Sequence, residues 1–286
     1  MEVFSMNKIA FVGAGSMAEA MISGIIKRSH ITTNQITVMN RSKQERLEFL
    51  RETYGVSTTH SYETLFQDAN IVILAVKPKD VLTVLSSIKS YLQDGMLLVS
   101  VVAGVSIENI EKIIERKMAI IRTMPNTSAA VGQSATAISH NSVVTEKQLT
   151  MTTELLETIG TVTLVNESQL DAVTGLSGSG PAYIYYLIEA MENSAELIGL
   201  EQDAAKSLIL QTIIGAAEML LQSPKTPKVL RQEVTSPGGT TEAGIKILQS
   251  RNVQEALTEC IVEAAQQSKR MGQKLTEEIN KKTISI

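Results

Sequence analysis

Residues 9–18 read I-A-F-V-G-A-G-S-M-A, an apolar run that leads into a G-x-G-x-x-A segment. A strand followed by this segment and then by a helix is typical of a dinucleotide-binding domain. Gly13 would allow the tight turn, Gly15 would let a pyrophosphate approach the backbone, and Ala18 would let the helix pack on the strand. The alternative is a purely structural turn. The residues predicted here to bind a cofactor are Gly13, Ala14, Gly15, Ser16 and Met17.

The first half of the chain alternates short apolar runs with amphipathic stretches, which is typical of β-α units around a parallel sheet. Strands are predicted at 8–12, 36–39, 71–75, 97–101 and 118–122, with further strands at 134–139 and 161–165. Helices are predicted at 17–28, 43–54, 80–91, 107–115 and 145–158. These elements predict a Rossmann-like, doubly wound α/β domain with a parallel sheet over residues 1–166.

After Asn166 the strand patterns stop, and helices are predicted at 181–198, 203–222, 239–250 and 252–272. They predict an all-α C-terminal domain over residues 167–286. Two of these helices are apolar on more than one face, and a domain of about 120 residues has too little interior to bury both. We therefore expect a homodimer, with Cys260 as a small apolar residue inside the shared core.

The composition excludes several classes of protein. The chain has 286 residues, a net charge of −4 and one cysteine, and its Lys and Arg residues are scattered rather than clustered. We expect no nucleic-acid partner and no disulfide. The start M-E-V-F-S-M-N-K lacks the apolar core of a signal peptide, and no apolar run approaches the ~20 residues of a membrane span. The expectation is a cytoplasmic protein without a membrane partner. The histidines lack metal-ligand spacing, so no metal site is predicted.

The end of the second predicted strand reads V-M-N-R-S-K at residues 38–43. NAD-binding chains commonly place an acidic residue there, against the ribose 2′-hydroxyl. Here Asn40 is uncharged, and Arg41, with Ser42 and Lys43, could pair with a 2′-phosphate. We therefore expect NADPH rather than NADH as the cofactor. NADH stays open, because Arg41 and Lys43 could also be solvated residues that begin the next helix.

Three further turns follow predicted strands, at the edge where open α/β sheets bind ligands. A-V-K-P contributes Ala75, Val76, Lys77 and Pro78, V-V-A-G-V-S at 101–106 contributes Ala103, and M-P-N-T at 124–127 contributes Asn126. We expect these residues to line the cofactor site on its nicotinamide side.

A second glycine-rich turn, S-P-G-G-T-T at residues 236–241, precedes a late predicted helix. The N–H groups of Gly238, Gly239, Thr240 and Thr241 could bind an anion, and neutral donors at a helix N-terminus suit a carboxylate. The Thr241 hydroxyl could also bond to a nitrogen. The alternative is a helix cap, which would explain a Ser or Thr but not the whole segment.

With both glycine segments in view, the chain resembles the Δ1-pyrroline-5-carboxylate reductases, over essentially all residues after Met6. The most specific part is V-T-S-P-G-G-T-T-E-A-G-I-K-I-L-Q at 234–249. G-A-G-S-M-A, A-V-K-P, M-P-N-T and G-L-S-G-S-G-P-A-Y, the last at 175–183, also match the family in order.

The resemblance implies NAD(P)H-dependent hydride transfer to the carbon of a cyclic imine, giving L-proline. It implies that the helical domain dimerises, that the 236–241 loop, with Ser236 at its start, binds the substrate carboxylate, and that Thr241 bonds to the ring nitrogen. Whether the dimers assemble into larger rings stays open. Ser128 and Ser61-Tyr62 depart from the family's usual residues, so no contact is carried over to them.

Two alternatives compete with this function. The β-hydroxyacid dehydrogenases share the domain order but use a lysine in the first long helix of the second domain. No lysine occurs here between Gly178 and Ala205, and alcohol oxidation needs a base to accept the hydroxyl proton. The other alternative is a catalytically silent relative that binds NADPH as a sensor or scaffold.

Overall fold

The computed structural model describes residues 8–284, with the side chains described up to residue 281. The N-terminal residues before Lys8, on which the expected absence of a signal peptide rests, lie outside the described part. The chain divides into two compact units. The first contains the described residues up to Pro181 together with those from Glu263 onward, and the second contains Ala182–Val262.

The first unit is built on one eight-stranded sheet, with strand order β3-β2-β1-β4-β5-β6-β7-β8. Neighbouring strands are parallel except β6 and β7, which pair antiparallel. This confirms the predicted Rossmann-like fold. The strands are β1 (Ile9–Val12), β2 (Ile36–Met39), β3 (Ser57–Thr59), β4 (Ile71–Leu74), β5 (Leu97–Ser100), β6 (Ala119–Met124), β7 (Ser134–His140) and β8 (Gly160–Leu164).

Helices follow most of the strands and cover both faces of the sheet. In the first unit they are α1 (Ser16–Arg28), α2 (Gln44–Tyr54), α3 (Tyr62–Phe66), α4 (Val81–Ile88), α5 (Ile107–Ile114), α6 (Glu146–Glu157) and α7 (Leu170–Val173), with a π-helical turn at Thr174–Gly178. Short 3-10 helices occur at Thr33–Gln35, Pro78–Asp80, Thr127–Val131 and Glu167–Gln169. The remaining helices are α8 (Gly180–Leu197), α9 (Gln202–Gln222), α10 (Pro227–Glu233), α11 (Thr240–Ser250) and α12 (Val253–Ile284).

The central strands are buried on both faces, as their continuous apolar sequences predict. Because successive side chains point to opposite faces, Phe11 of β1 belongs to the core cluster that contains residues of α1, α2 and α6. Ala10 and Val12 belong to the second cluster, which contains residues of α4 and α5. The two clusters fix the sheet rigidly, and the loops at its carboxyl edge therefore start from defined points.

The C-terminal half of α12 returns to the first unit. Ile279 is buried in the second core cluster, and the Asn109 amide nitrogen donates to the Thr276 hydroxyl at 2.9 Å. The Ser268 hydroxyl donates to Asp171 at 2.7 Å, and Asp171 also lies 3.7 Å from the guanidinium of the buried Arg122. The predicted helix at 252–272 is therefore longer than expected, and its last turns pack on the sheet domain.

The second unit has a small core of its own. Its cluster of buried hydrophobic residues consists of Ala195, Ala205 and Ile209. Many large apolar side chains of α8 and α9 are exposed in the single chain, among them Tyr185, Tyr186, Leu208, Ile214, Met219 and Leu221. By length and composition, α9 is also apolar enough to cross a bilayer, although the expectation was that no segment would be. Such a helix is weak evidence for a membrane span, because helices at protein interfaces have the same composition.

Candidate active site

The residues predicted to bind the cofactor meet at one edge of the sheet. Strands β2, β1, β4, β5 and β6 are parallel neighbours, so their carboxyl ends lie side by side. Gly13–Met17, Asn40–Lys43, Ala75–Pro78, Ala103 and Asn126 each follow one of these strands. A dinucleotide binds along such an edge, next to the point where the strand order reverses. Here the order reverses between β1 and β4.

The glycine loop has the geometry that a pyrophosphate needs. Gly13 has φ +113°, and a Cβ added there would lie 2.3 Å from the Ala75 carbonyl oxygen. Gly15 is the N-cap of α1 and is exposed, and a Cβ added there would meet no atom within 4 Å. Gly13 is therefore required by the protein itself, whereas the space at Gly15 is open to a ligand. With the first N–H groups of α1 pointing the same way, the loop fits a dinucleotide phosphate.

Arg46 supports this loop from α2, and the sequence alone did not single it out. Its Nε donates to the Ala14 carbonyl oxygen at 2.8 Å, and its terminal nitrogen binds the Glu19 carboxylate. The Tyr54 hydroxyl donates to the other Glu19 oxygen at 2.9 Å. Burial and the bond to Glu19 raise the pKa of Tyr54. Because Arg46 and Ala14 are 32 residues apart, no local motif indicates this contact.

The turn after β2 is closed by Asn40. Its side-chain oxygen accepts from the backbone N–H groups of Ser42 at 3.1 Å and Lys43 at 3.0 Å. The Arg41 and Lys43 side chains are exposed. The part of Asn40 is therefore to shape a turn that carries two cations, and this arrangement suits a phosphate on the ribose.

The turn after β4 is short, and its Ala75 and Val76 are half-buried. Pro78 opens a 3-10 helix directly after Lys77, which is exposed and extended. Ala103, after β5, is also half-buried. The next residue, Gly104, has φ +72°, and a Cβ added to Gly272 of α12 would lie 2.6 Å from its carbonyl oxygen. The end of α12 therefore packs directly on the turn predicted to face the nicotinamide.

Asn126 is buried and makes internal hydrogen bonds. Its amide nitrogen donates to the Ser177 carbonyl oxygen at 3.0 Å, and its side-chain oxygen accepts from the Ser128 N–H at 3.1 Å. Asn126 therefore links the end of β6 to the π-helical turn at Thr174–Gly178, a kind of turn found frequently at functional sites. A direct contact between Asn126 and a cofactor remains a prediction.

The predicted substrate loop lies in the second unit and begins α11. Gly238 has φ +73°, and its N–H donates to the Glu242 carboxylate at 2.9 Å. The Gly239 N–H donates to the Ser236 carbonyl oxygen at 3.0 Å. Two of the four predicted donors are thus bonded within the loop. The N–H groups of Thr240 and Thr241, in the first turn of α11, remain as donors for a carboxylate.

Glu242 was not predicted to shape this loop. It is the third residue of α11, where an acidic side chain commonly bonds back to N–H groups before the helix. Its other oxygen lies 3.2 Å from the Lys246 ammonium, one turn further on. The S/T-x-x-E pattern that usually reveals such a cap is absent, since Gly239 stands at the N-cap, and the contact was therefore missed.

Comparison with known proteins agrees with both glycine segments. Residues 167–271 match the family model described as pyrroline-5-carboxylate reductase dimerisation, and residues 8–104 match that described as NADP oxidoreductase, coenzyme F420-dependent. Pyrroline-5-carboxylate reductase 2 of Bacillus subtilis is 51% identical over 92% of this chain and 94% of its own. This chain belongs to the pyrroline-5-carboxylate reductase family.

Other relatives in this reductase family lie further away but match the whole fold. The reductase of Arabidopsis thaliana is 37% identical over 93% of this chain and 96% of its own. The crystal structure of Plasmodium falciparum pyrroline carboxylate reductase with NADP bound has a TM-score of 0.86 at 29% identity, covering 93% of this chain and 98% of that one. That of Coxiella burnetii has a TM-score of 0.84 at 37% identity, covering 93% and 99%. The family and the fold predicted from the sequence are thus confirmed, and the match to a dimerisation model supports the homodimer.

Proposed function

We propose that this chain reduces 1-pyrroline-5-carboxylate to L-proline and uses NADPH in preference to NADH. The observation that carries the proposal is the 51% identity to a Bacillus subtilis pyrroline-5-carboxylate reductase over 92% of the chain. The open space at Gly15 and the cationic turn at Asn40–Lys43 support the cofactor assignment.

In this proposal the bound NADPH supplies a hydride to the imine carbon. The Gly13–Met17 loop and the first turn of α1 hold its pyrophosphate, and Arg41 and Lys43 pair with its ribose phosphate. The turns at Ala75–Pro78 and Ala103 border the nicotinamide and limit the access of water. Positioning contributes much of the rate, because a protonated imine is already electrophilic.

The loop at 236–241 orients the substrate. The Thr240 and Thr241 N–H groups and the positive end of the α11 dipole attract its carboxylate. The Thr241 side chain is exposed, and its hydroxyl orients and stabilises the ring N–H. An ordinary hydroxyl is a poor acid, so the nitrogen acquires its proton from water before the hydride arrives.

The rest of the proposal concerns assembly and location. The protein acts as a homodimer in the cytoplasm, with a small-molecule substrate and without nucleic-acid or membrane partners. Assembly of dimers into rings stays open. The absence of a lysine between Gly178 and Ala205 disfavours the β-hydroxyacid dehydrogenase alternative. The intact 236–241 loop disfavours the silent sensor, which has no chemical need for it.

The test is the oxidation of NADPH and of NADH in the presence of 1-pyrroline-5-carboxylate, followed by absorbance. We expect turnover that favours NADPH and that falls by about tenfold to a hundredfold in Thr241→Ala, the usual effect of losing one oriented hydrogen bond in a transition state. Ser250→Ala, which removes a hydroxyl at the other end of α11, is the matched control. NADPH binding without turnover in the unmodified protein would instead favour the silent sensor.

A further inference from the structure

His60 lies beside the turn that is proposed to receive the ribose phosphate. It is exposed and follows directly after β3. Its Nδ1 lies 2.7 Å from the Asn40 carbonyl oxygen, and its Nε2 lies 2.7 Å from the Gln44 side-chain oxygen. The imidazole ring therefore connects β3 to both ends of the β2–α2 turn.

Both ring nitrogens of His60 face hydrogen-bond acceptors. The Asn40 carbonyl oxygen can only accept, so Nδ1 carries a hydrogen. The Gln44 amide is oriented by a second bond, in which its Nε2 donates to Glu48 at 2.8 Å, and this leaves its oxygen facing His60. A neutral ring would place the lone pair of Nε2 against the Gln44 oxygen. Only the imidazolium donates to both partners, so the surroundings of His60 are fully satisfied by the cationic ring.

The same contact fixes the position of the neighbouring cations. The Asn40 side chain holds the Ser42 and Lys43 N–H groups, while the Asn40 carbonyl is held by His60. The turn is therefore braced from inside and from outside. Arg41 and Lys43 leave this braced turn as exposed side chains.

We propose that His60 is a specificity-determining residue for the ribose 2′-phosphate of NADPH. It holds the Asn40–Lys43 turn in the conformation that presents Arg41 and Lys43, and as an imidazolium it adds a third positive charge to that turn. The inference rests on the proposed function, in which this turn receives the adenosine ribose of the cofactor.

The test compares the binding of phosphorylated and unphosphorylated ligands to the full-length protein by calorimetry. The ligands are NADPH and NADH, and, as fragments, adenosine 2′,5′-bisphosphate and AMP. In His60→Gln, which keeps a polar side chain without the charge, we expect the dissociation constants of NADPH and of the bisphosphate to rise by about fivefold to tenfold, as for the loss of a charge-assisted contact. Those of NADH and AMP should change by less than about twofold, since these ligands lack the phosphate that the charge attracts.

Two further variants separate charge from folding. His60→Arg restores a cation and should recover most of the preference for the bisphosphate over AMP. His30→Gln removes an exposed histidine beyond the other end of α1 and should leave all four constants unchanged. Melting temperatures of the variants establish that each is folded.

The inference is overturned if His60→Gln weakens phosphorylated and unphosphorylated ligands equally, which would make His60 a brace for the loop alone, or if it weakens neither. Failure of the proposed function has a different signature. In that case the unmodified protein would not turn over 1-pyrroline-5-carboxylate, while the preference for the bisphosphate and its dependence on His60 could still be measured.

Discussion

At the scale of single residues, Gly13 and Gly15 look equivalent in the sequence but have different roles in the structure. A side chain at Gly13 would collide with the Ala75 backbone, and its φ of +113° is unfavourable for any residue with a Cβ. A side chain at Gly15 would enter open space at a φ of −75°. The first glycine therefore serves the fold, and the second serves the ligand.

We predict that Gly13→Ala destabilises the protein and that Gly15→Ala does not. The clash and the strained φ together should cost about 2–4 kcal/mol of unfolding free energy, measured by urea denaturation. Gly15→Ala should keep the unfolding midpoint and raise the dissociation constant of NADPH by about tenfold, because a methyl group would occupy the pyrophosphate position. Equal loss of stability in the two variants would contradict these separate roles.

The sequence predicts such residues where a motif reports on its own local backbone. The spacing of Gly13, Gly15 and Ala18 reveals a turn, because each glycine meets a local steric demand. The contacts of Arg46 with Ala14 and of His60 with Asn40 join distant segments, and their signals are single polar residues without any spacing. Those residues became visible only when the sheet brought the segments together.

At the scale of elements, the docking of α12 on the sheet domain depends on a close approach of two backbones. A Cβ at Gly272 would lie 2.6 Å from the Gly104 carbonyl oxygen, and neither backbone can move without shifting its element. The sequence pattern predicted α12 only to residue 272, because the polar residues beyond it obscure the spaced apolar positions Leu275 and Ile279.

We predict that Gly272→Ala destabilises the protein by about 1–3 kcal/mol, as overpacking at a close contact does. The matched control is Gly244→Ala on α11, where a Cβ would meet no atom within 4 Å. That variant should be stabilised by about 0.5–1 kcal/mol, since alanine is the better helix former. Thermal unfolding of both variants measures the difference. A neutral Gly272→Ala would show that α12 does not dock tightly.

The short elements β3 and α3 were also not predicted. Ser57–Thr59 and Tyr62–Phe66 are too short to show a period, and they form because the neighbouring strand and the aromatic contacts of Tyr62 and Phe66 with Tyr91 support them. On α3, Glu63 accepts hydrogen bonds from Ser61 at 2.6 Å and from Tyr91 at 2.7 Å. These bonds lower the pKa of Glu63 from 4.5 to about 2.

We predict that the Glu63 carboxylate titrates near 2 when followed by carbon NMR, and that Ser61→Ala raises this pKa more than Tyr91→Phe does, because the Ser61 bond has the larger effect. The folded-state pKa is depressed, so the contribution of Glu63 to stability is present above pH 4.5 and is lost as the pH falls towards 2. An unchanged titration in both variants would contradict the hydrogen-bond account.

At the scale of the whole molecule, the second unit exposes more apolar surface than a single chain can tolerate. Ile214 and Tyr186 are 60% and 74% exposed, and Cys260 of α12 is exposed as well. The all-round apolar pattern of these helices predicted this surface and hence a dimer. The pattern does not give the mode of pairing, because the sequence specifies which faces are apolar but not how they meet.

We predict that Ile214→Lys converts the dimer into a monomer, measured by analytical ultracentrifugation, because a buried unpaired charge is costly at an interface. The Cys260 thiol should react slowly with a thiol reagent in the dimer and rapidly in the monomeric variant. Lys228→Ala, on the exposed and polar α10, is the control and should leave both properties unchanged. Fast reaction of Cys260 in the unmodified dimer would place the interface elsewhere.

The most direct test of the account is to follow the transferred atom. NADPH carrying deuterium at the transferable position of its nicotinamide would be incubated with the protein and 1-pyrroline-5-carboxylate, and the product analysed by mass spectrometry. The account predicts L-proline that contains one deuterium, formed faster than with labelled NADH. Oxidation of the cofactor without labelled proline, or no reaction despite tight binding of NADPH, would contradict it.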